Sequence, residues 1–439
     1  MTAPLLLAFY GDDFTGSTDA LEFLARAGVR TVLFIEPPTP AQLVHYPGIQ
    51  AVGVAGLTRS LPTAALEAEL WPAFAALSTL GAEHVHYKIC STFDSSPSIG
   101  SIGHAIDVGA EIFDAKFVPL LVGAPVLGRY CVFGNLFARL GGGGEIHRLD
   151  RHPSMSKHPV TPSDESDLRL HLAKQTAKRI ALFDILKVAL PETSAQAELA
   201  ALVVGGAEII LFDILYPDQL GRIGGLLDAQ AGRQKPFFSV GSSGIEMALG
   251  AHWAAQGRLK QRTSWPDPGP ASPLLAVSGS CSPVTTKQIS WALAHGFTEV
   301  ALDAAKVATE SEAPAVLVEV VSHLKKGRSV VVHTSKGGLD PRITPAVSSR
   351  LGTALGRIAL NAVEQAGIRR VLFAGGDSSS HAARALGVKS LEMLAPLAPG
   401  APLCKAHIPG SVANGLEVNF KGGQVGAEDY FGAVASGKL

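Results

Sequence analysis

The chain has little cysteine, little charge and no long apolar run, and each shortage argues against a class of protein. Its four cysteines among 439 residues are scattered and form no C-x-x-C pair, which disfavours structural zinc and a disulfide framework. Charged residues make up only 17%, with 37 Lys+Arg against 38 Asp+Glu, so we expect neither nucleic acid nor a membrane surface as partner. The apolar stretches are interrupted well short of the roughly 20 residues of a membrane span.

Several well-known motifs are also missing. The sequence contains no G-x-x-x-x-G-K-[ST], G-x-G-x-x-G or H-E-x-x-H, which removes the usual support for P-loop NTPases, Rossmann dehydrogenases and zinc proteases. Gly241–Gly244 fails the G-x-S-x-G pattern of hydrolases because position 245 is Ile. The N-terminus lacks a basic region and a cleavage site, so we expect a cytoplasmic protein.

Apolar sequence, by contrast, is abundant, with hydrophobic residues at 47%. Aliphatic runs of about five residues alternate with segments of helical period, a pattern typical of parallel strands joined by helices. The predicted class is therefore α/β, with two domains that each hold a mainly parallel sheet flanked by helices. The segment QRTSWPDPGPASP contains four prolines and no apolar periodicity, which indicates a linker. The predicted division is an N-terminal domain over 1–262, a linker over 263–273 and a C-terminal domain over 274–439.

Two adjacent acids follow the first predicted strand, Leu5–Tyr10. Ligands bind at the carboxyl ends of strands in open α/β sheets, so Asp12 or Asp13 is a candidate to contact a hydroxylated substrate or to accept a hydroxyl proton. The alternative is helix capping, for which Asp13 is a suitable residue type. Two acids at one strand end exceed the need of a single cap.

Two basic residues and further polar residues stand at similar places. Arg59 follows the strand-like Ala51–Ala55, and Lys88 lies at the end of the strand that begins at His84. An Arg and a Lys that converge would hold a carboxylate, although solvated side chains at loop starts are the commoner case. With Ser91 and Asp94 just beyond, the pattern predicts a pocket for a small, acidic, hydroxylated molecule.

Three loops rich in Gly and Ser occur in the second domain. Small residues leave backbone N–H groups free to meet an anion, and two of the loops join a strand to a helix. Each loop alone is usually a tight turn, but three together favour a nucleotide phosphate site. The candidate residues are Ser278, Ser280, Gly375, Gly376, Asp377, Ser378, Gly422 and Gly423.

Taken in order, these segments resemble the four-carbon acid sugar kinase family. GDDFTG at 11–16, LTRSLP at 57–62, KICSTFDSS at 88–96 and HPVTP at 158–162 look like its acid-sugar domain. SGSCSPVT at 278–285, GGDSS at 375–379 and KGGQVG at 421–426 look like its nucleotide domain. Within these segments, C-S-T-F-D-S at 90–95 resembles the 3-oxo-tetronate kinase branch of the family.

The resemblance implies that ATP, with Mg²⁺, phosphorylates a terminal hydroxyl of a small acid sugar such as 3-oxo-tetronate, threonate or erythronate. Arg59 and Lys88 would then hold the substrate carboxylate. Asp12, Asp13 and Asp94 would engage its hydroxyls, with Asp12 or Asp13 as the base. The identity of the sugar and the metal ligands stay open.

Other functions stay open beside this one. A kinase for a branched oxo-acid sugar, a cytoplasmic sugar-acid-binding protein without kinase activity, and a ligase or phosphatase of similar acids would share many of these features. A homodimer is expected only because such assemblies are common.

Overall fold

The computed structural model describes residues 5–141, 143–158, 160–232, 236–303, 313–334 and 345–438. These residues fold as two compact units. The first comprises the described residues up to Thr31 and from Glu36 to Arg262, and the second comprises Val32–Ile35 and the described residues from Thr263 onward. No helix among the described residues has the length and apolar character needed to cross a membrane.

Short apolar strands form the core of the first unit. In chain order, the strands before residue 263 are β1 (Leu7–Gly11), β2 (Thr31–Phe34), β3 (Ala51–Ala55), β4 (His84–Lys88), β5 (Val118–Leu121), β6 (Arg129–Val132), β7 (Asn135–Arg139), β8 (Ile146–Arg148), β9 (Ile180–Phe183), β10 (Ile209–Phe212) and β11 (Phe237–Gly241), of which β2 groups with the second unit. Seven of them lie in the order β3-β1-β4-β11-β5-β10-β9, and all six pairings in this row are parallel. Most are buried on both faces, as helix-covered parallel strands are.

Helices connect these strands. They are α1 (Phe14–Ala27), α2 (Pro40–Leu43), α3 (Thr63–Ser78), α4 (Ile102–Ile112), α5 (Leu168–Leu172), α6 (Ile185–Val188), α7 (Glu192–Val204), α8 (Leu220–Ala231) and α9 (Gly244–Ala255). Helix α1 shows how local sequence sets the bounds. Its N-cap is Asp13, whose side chain caps the first turn, and its C-cap is Gly28, whose φ of 92° is a left-handed conformation that suits glycine.

The register of the parallel strands aligns their carboxyl ends. Gly11 of β1 pairs with Ala55 of β3 and with Lys88 of β4, and Lys88 pairs in turn with Gly241 of β11. Residues that immediately follow these four strands therefore meet at one edge of the sheet.

The second unit contains β12 (Leu275–Ser278), β13 (Thr298–Ala301), β14 (Val330–His333), β15 (Arg370–Ala374), β16 (Ser390–Ala398), β17 (Ala401–His407) and β18 (Glu417–Lys421). Its helices are α10 (Pro283–Ala294), α11 (Ala313–Lys325), α12 (Pro345–Ala366), α13 (Gly376–Ala385) and α14 (Tyr430–Ser436). The strand order is β13-β14-β12-β15-β18-β17-β16-β2. The first five strands are parallel, and the remaining pairings are antiparallel.

The α/β class with mainly parallel pairing is confirmed, but three features were not anticipated. β6, β7 and β8 form a separate antiparallel sheet. β16 and β17 form an antiparallel hairpin. β2 pairs with β16, and Val32–Ile35 accordingly groups with the second unit although it lies early in the chain.

Candidate active site

In the first unit, the aligned strand ends bring together Asp12, Asp13 and Arg59. The Arg59 guanidinium donates from Nε to Asp12 Oδ2 at 3.0 Å and from Nη2 to Asp12 Oδ1 at 2.7 Å. The same Nη2 donates to Asp13 Oδ1 at 2.8 Å. Arg59 is therefore not a solvated side chain at a loop start: it is shared by the two acids, in the two-point geometry that suits a carboxylate.

The two neighbouring acids have different surroundings. Asp13 caps α1, since it accepts hydrogen bonds from the Gly16 backbone N and the Thr15 hydroxyl, both at 2.8 Å. Burial alone would raise the pKa of Asp13, but Arg59 and Lys88 hold it below its usual value. Burial, together with the charge of Asp13, raises the pKa of Asp12 despite Arg59. Environments that separate two carboxyl pKa values in this way are typical of acid–base sites.

Lys88 lies deeper in the same cluster, with 2% of its surface exposed. Its Nζ lies 3.6 Å from Asp19 Oδ2 and donates to the Ile89 carbonyl at 3.2 Å. Burial alone would lower the pKa of Lys88, but the charges of Asp19 and Glu246 raise it. The fold thus supplies Lys88 with its own counter-ions.

Sequence reasoning missed Asp19 and Glu246. Glu246 is fully buried on α9, where its Oε1 lies 2.8 Å from His86 Nδ1. Asp19 could have been selected from the sequence. It follows Gly16, the last residue of the GDDFTG segment, by three residues on α1 and therefore lies on the same helix face. No comparable local signal points to Glu246, which joins the cluster only through the packing of α9.

Three carboxylate oxygens in this region have no hydrogen-bond donor among the described residues. They are Oδ1 of Asp19, Oδ1 of Asp94 and Oε2 of Glu246, and all three are buried. Ser243 lies close enough to Asp19 to influence its pKa, but makes no hydrogen bond of good geometry with it. Buried acceptors are normally satisfied, so these oxygens are suited to hydroxyl donors from a ligand.

The loop between Lys88 and Asp94 carries the remaining predicted residues. Ser91 is half-buried next to Cys90, whose Sγ lies 2.9 Å from the Thr92 hydroxyl. Burial and the charge of Asp94 raise the pKa of Cys90 to about 11. Cys90 is therefore a neutral thiol at neutral pH and not a nucleophilic thiolate.

In the second unit, the structure brings the three Gly/Ser loops together at the ends of β12, β15 and β18. The Gly279 backbone N donates to the Ala374 carbonyl at 3.1 Å, and the Gly375 N donates to the Lys421 carbonyl at 3.0 Å. The Thr285 hydroxyl of α10 donates to the Gly423 carbonyl at 2.9 Å. Three loops separated in sequence thus form one cluster.

Glycine and serine stand where these loops touch. A Cβ at Gly279 would lie 2.8 Å from the Ser378 hydroxyl oxygen, and one at Gly423 would lie 3.0 Å from that of Ser280. Gly375 has a φ of 131°, and a Cβ there would lie 2.5 Å from Ser378 Oγ. A Cβ at Gly279 or Gly423 would have to displace a serine side chain, and at Gly375 the backbone conformation itself favours glycine. Such close packing of small residues is suited to a cradle for phosphate groups.

The other predicted loop residues lie around this cradle. Ser278 Oγ accepts from the Ser280 backbone N at 3.3 Å, and Gly422 precedes Gly423. Gly376 begins α13 with open space where a Cβ would be. The side chain of Asp377 lies outside the described part of the structure.

One residue that sequence reasoning did not select lies at the base of the cradle. Lys421, the last residue of β18, is fully buried and donates from Nζ to the Thr285 hydroxyl at 2.9 Å. Its position directly before Gly422 was a usable signal. A buried cation beside an anion cradle is suited to phosphate.

The two clusters define a class of protein. One unit presents paired acids, a cation and unsatisfied carboxylate oxygens, which suit a small hydroxylated acid. The other presents three close-packed Gly/Ser loops at the ends of parallel strands, which suit phosphate groups. Together these are the requirements of a small-molecule kinase that binds an acid and a nucleotide.

Comparison with known proteins agrees with this class. Residues 7–249 match the model of a sugar-binding N-terminal domain, and residues 275–431 match that of a nucleotide-binding C-terminal domain. The chain is 44% identical to a 3-oxo-isoapionate kinase of Paraburkholderia graminis, over 100% of this chain and 95% of the relative. It is 31% identical to a 3-oxo-tetronate kinase of Methylobacterium radiotolerans, over 98% of each. The chain therefore belongs to the four-carbon acid sugar kinase family, and it is an ATP-using kinase of small acid sugars.

A solved structure has the same fold. The crystal structure of a proposed tRNA synthase from Salmonella typhimurium LT2 is 25% identical and superposes with a TM-score of 0.77, covering 98% of both chains. The likeness spans both units of the chain.

Proposed function

We propose that this kinase phosphorylates a terminal hydroxyl of a branched 3-oxo acid sugar of the 3-oxo-isoapionate type. The observation that carries the proposal is the 44% identity with the 3-oxo-isoapionate kinase over the whole chain, against 31% with the 3-oxo-tetronate kinase of Methylobacterium radiotolerans. Linear 3-oxo-tetronates are the second candidate, which the CSTFDS segment at 90–95 favours.

The acid cluster of the first unit supports roles for its residues. Arg59 is its most accessible cation, with 24% of the side chain exposed, and would contact the substrate carboxylate while it holds Asp12 and Asp13. Lys88 is buried beneath it and adds positive charge to the site without needing direct contact. The unsatisfied oxygens of Asp19 and Asp94 would accept hydrogen bonds from substrate hydroxyls.

Asp12 is the proposed base. Asp13 already caps a helix and has a lowered pKa, whereas the pKa of Asp12 is raised, which makes its carboxylate the better proton acceptor. In phosphoryl transfer, the main tasks of such an acid are to orient the attacking hydroxyl and to accept its proton.

The nucleotide would bind in the cradle of the second unit, with Ser280, Ser378 and the backbone around Gly375 and Gly423 nearest its phosphates. Among the described residues, no three His, Cys, Asp or Glu side chains converge as a metal site. We therefore propose that Mg²⁺ binds together with the ATP phosphates, and we assign it no protein ligand. When bound, it neutralises phosphate charge.

The direct test is an ADP-release assay with Mg²⁺ and ATP over 3-oxo-isoapionate, 3-oxo-tetronates, threonate and erythronate, with mass spectrometry of each product. We expect the highest kcat/KM on the branched 3-oxo acid. A higher kcat/KM on a linear tetronate would contradict the branched assignment and leave the kinase class intact.

A matched pair of variants tests the base. Asn also caps helices, so Asp13→Asn keeps the start of α1, and Asp12→Asn removes the proposed acceptor. We expect Asp12→Asn to lower kcat by about 10²- to 10⁴-fold with a smaller change in ATP affinity. Asp218→Asn, at an exposed position, is the control. Full turnover by Asp12→Asn would remove Asp12 from this role.

A further inference from the structure

Among the described residues, each unit contains one buried lysine at the carboxyl end of a strand. Lys88 ends β4 and Lys421 ends β18, with exposed fractions of 2% and 0%. Burying an ammonium group is costly unless an opposite charge or several hydrogen bonds compensate it. The two lysines therefore pose the same physical problem, and their surroundings can be compared directly.

In the first unit, acidic side chains of the protein compensate the buried ammonium group. Lys88 Nζ lies 3.6 Å from Asp19 Oδ2, and Glu246, Asp12 and Asp13 add further negative charge. These acids raise the pKa of Lys88 above its ordinary value although burial alone would lower it. Lys88 is thus a permanent cation with counter-ions built into the fold.

The second unit does not supply this compensation from its described side chains. Lys421 Nζ donates to the neutral Thr285 hydroxyl at 2.9 Å, and that hydroxyl donates onward to the Gly423 carbonyl at 2.9 Å. Burial lowers the pKa of Lys421 to about 7, with no described carboxylate to offset it. In the nucleotide-free protein this lysine therefore titrates near neutral pH.

The charged side chains that the structure describes on the neighbouring elements are directed elsewhere, and that of Asp377 on α13 lies outside the described part. Glu417, on the same strand, pairs with Arg370 at the far end of β15 and β18. Lys287 is exposed on α10, and Arg384 of α13 donates to the Ser380 hydroxyl. None of these groups neutralises Lys421.

The position of Lys421 indicates which kind of anion could compensate its charge. Thr285, its partner, belongs to the first turn of α10, where the helix dipole favours negative charge. Gly423, at the other end of the hydrogen-bond chain, is part of the phosphate cradle, where a Cβ would lie 3.0 Å from the Ser280 hydroxyl oxygen. A phosphate group in the cradle would approach both the helix start and the ammonium group.

We infer that Lys421 is the cation that the second unit holds for a phosphate group of the nucleotide, and that the nucleotide brings the counter-ion which the described side chains do not provide. The inference rests on the proposed nucleotide cradle. Its consequence is that nucleotide binding protonates Lys421: a proton enters the protein as the phosphate binds. Thr285 keeps Nζ in place until then.

Calorimetry of ADP binding to the full-length protein tests this inference. At pH 8.0, titrations in buffers of different ionisation enthalpy should show proton uptake by the wild type. Lys421→Met, which keeps the length of the side chain and removes its charge, should abolish the uptake and weaken ADP binding by about 10- to 100-fold, as expected for a lost charge-assisted hydrogen bond. Lys389→Met, at an exposed position, should behave as the wild type.

Thermal unfolding without nucleotide supplies the second readout. Because Lys421→Met removes an uncompensated buried ammonium, its Tm should equal or exceed that of the wild type, while ADP affinity falls. A lower Tm with unchanged ADP affinity would assign Lys421 a structural role and overturn the inference, as would wild-type binding without proton uptake. If the wild type bound no ADP, the proposed cradle itself would fail.

Discussion

Removal of the Arg59 charge should destabilise the first unit strongly, because this one guanidinium serves two buried acids. Its three hydrogen bonds, at 3.0, 2.7 and 2.8 Å, end on Asp12 and Asp13, whose exposed fractions are 2% and 8%. Breaking a buried ion pair typically costs about 3–5 kcal/mol. A quarter of the Arg59 side chain is exposed, so we expect about 3 kcal/mol for Arg59→Met at pH 7.5.

The assay is urea unfolding followed by circular dichroism. The loss of unfolding free energy is measured from the transition of the first unit. The loss should shrink as the pH is lowered, because Asp12 and Asp13 can then take up protons and no longer need a cation. In an Asp12→Asn background, the same Arg59→Met change should lower the free energy of unfolding markedly less, because only one buried carboxylate is then left without its cation.

Two results would refute this reasoning. One is a loss below about 1 kcal/mol at pH 7.5, the value typical of an exposed ion pair. The other is an equal loss in the presence and absence of the Asp12 charge, which would mean that Arg59 contributes through packing alone.

Two further predictions concern other parts of the fold. Burial alone would raise the pKa of Asp228, but hydrogen bonds from His84 and Trp253 lower this pKa to about 2. The contribution of ionised Asp228 to the free energy of unfolding is therefore complete above pH 4 and is lost as the pH falls towards 2. Asp228→Asn should therefore cost about 2 kcal/mol at pH 7 and much less at pH 2.5 in urea unfolding. Gly375→Ala should reduce ADP affinity about 10-fold in calorimetry, because its Cβ would lie 2.5 Å from Ser378 Oγ, whereas Gly143→Ala, where a Cβ meets open space, should not.

The α/β class and the strand ends were predictable because their signals are local. Apolar runs such as Leu5–Tyr10 read as buried strands without reference to the rest of the chain, and the structure has a strand at Leu7–Gly11. The antiparallel elements were harder to predict. β6–β8 are short and only partly buried, so their side chains give a weak alternating pattern.

The sequence did not predict strand pairing between segments that lie far apart in the chain. β2 carries an ordinary strand signal, but its antiparallel pairing with β16 joins residues more than 350 positions apart. Nothing in the four residues Thr31–Phe34 specifies that partner. Strand pairing depends on how the rest of the chain packs, because a strand edge offers the same backbone groups to any neighbour.

The sequence by itself determined which residue types stand at the ends of the strands: acids and a cation in the first unit, small residues in the second. It could do so because turns, caps and close backbone approach depend on nearest neighbours. Only the tertiary structure decided the charge state of these residues. Arg59 is shared by Asp12 and Asp13, Lys88 acquires Asp19 and Glu246, and Lys421 acquires no described carboxylate. Burial and charge act through space between residues far apart in the chain, so identical side chains at equivalent strand ends acquire opposite properties.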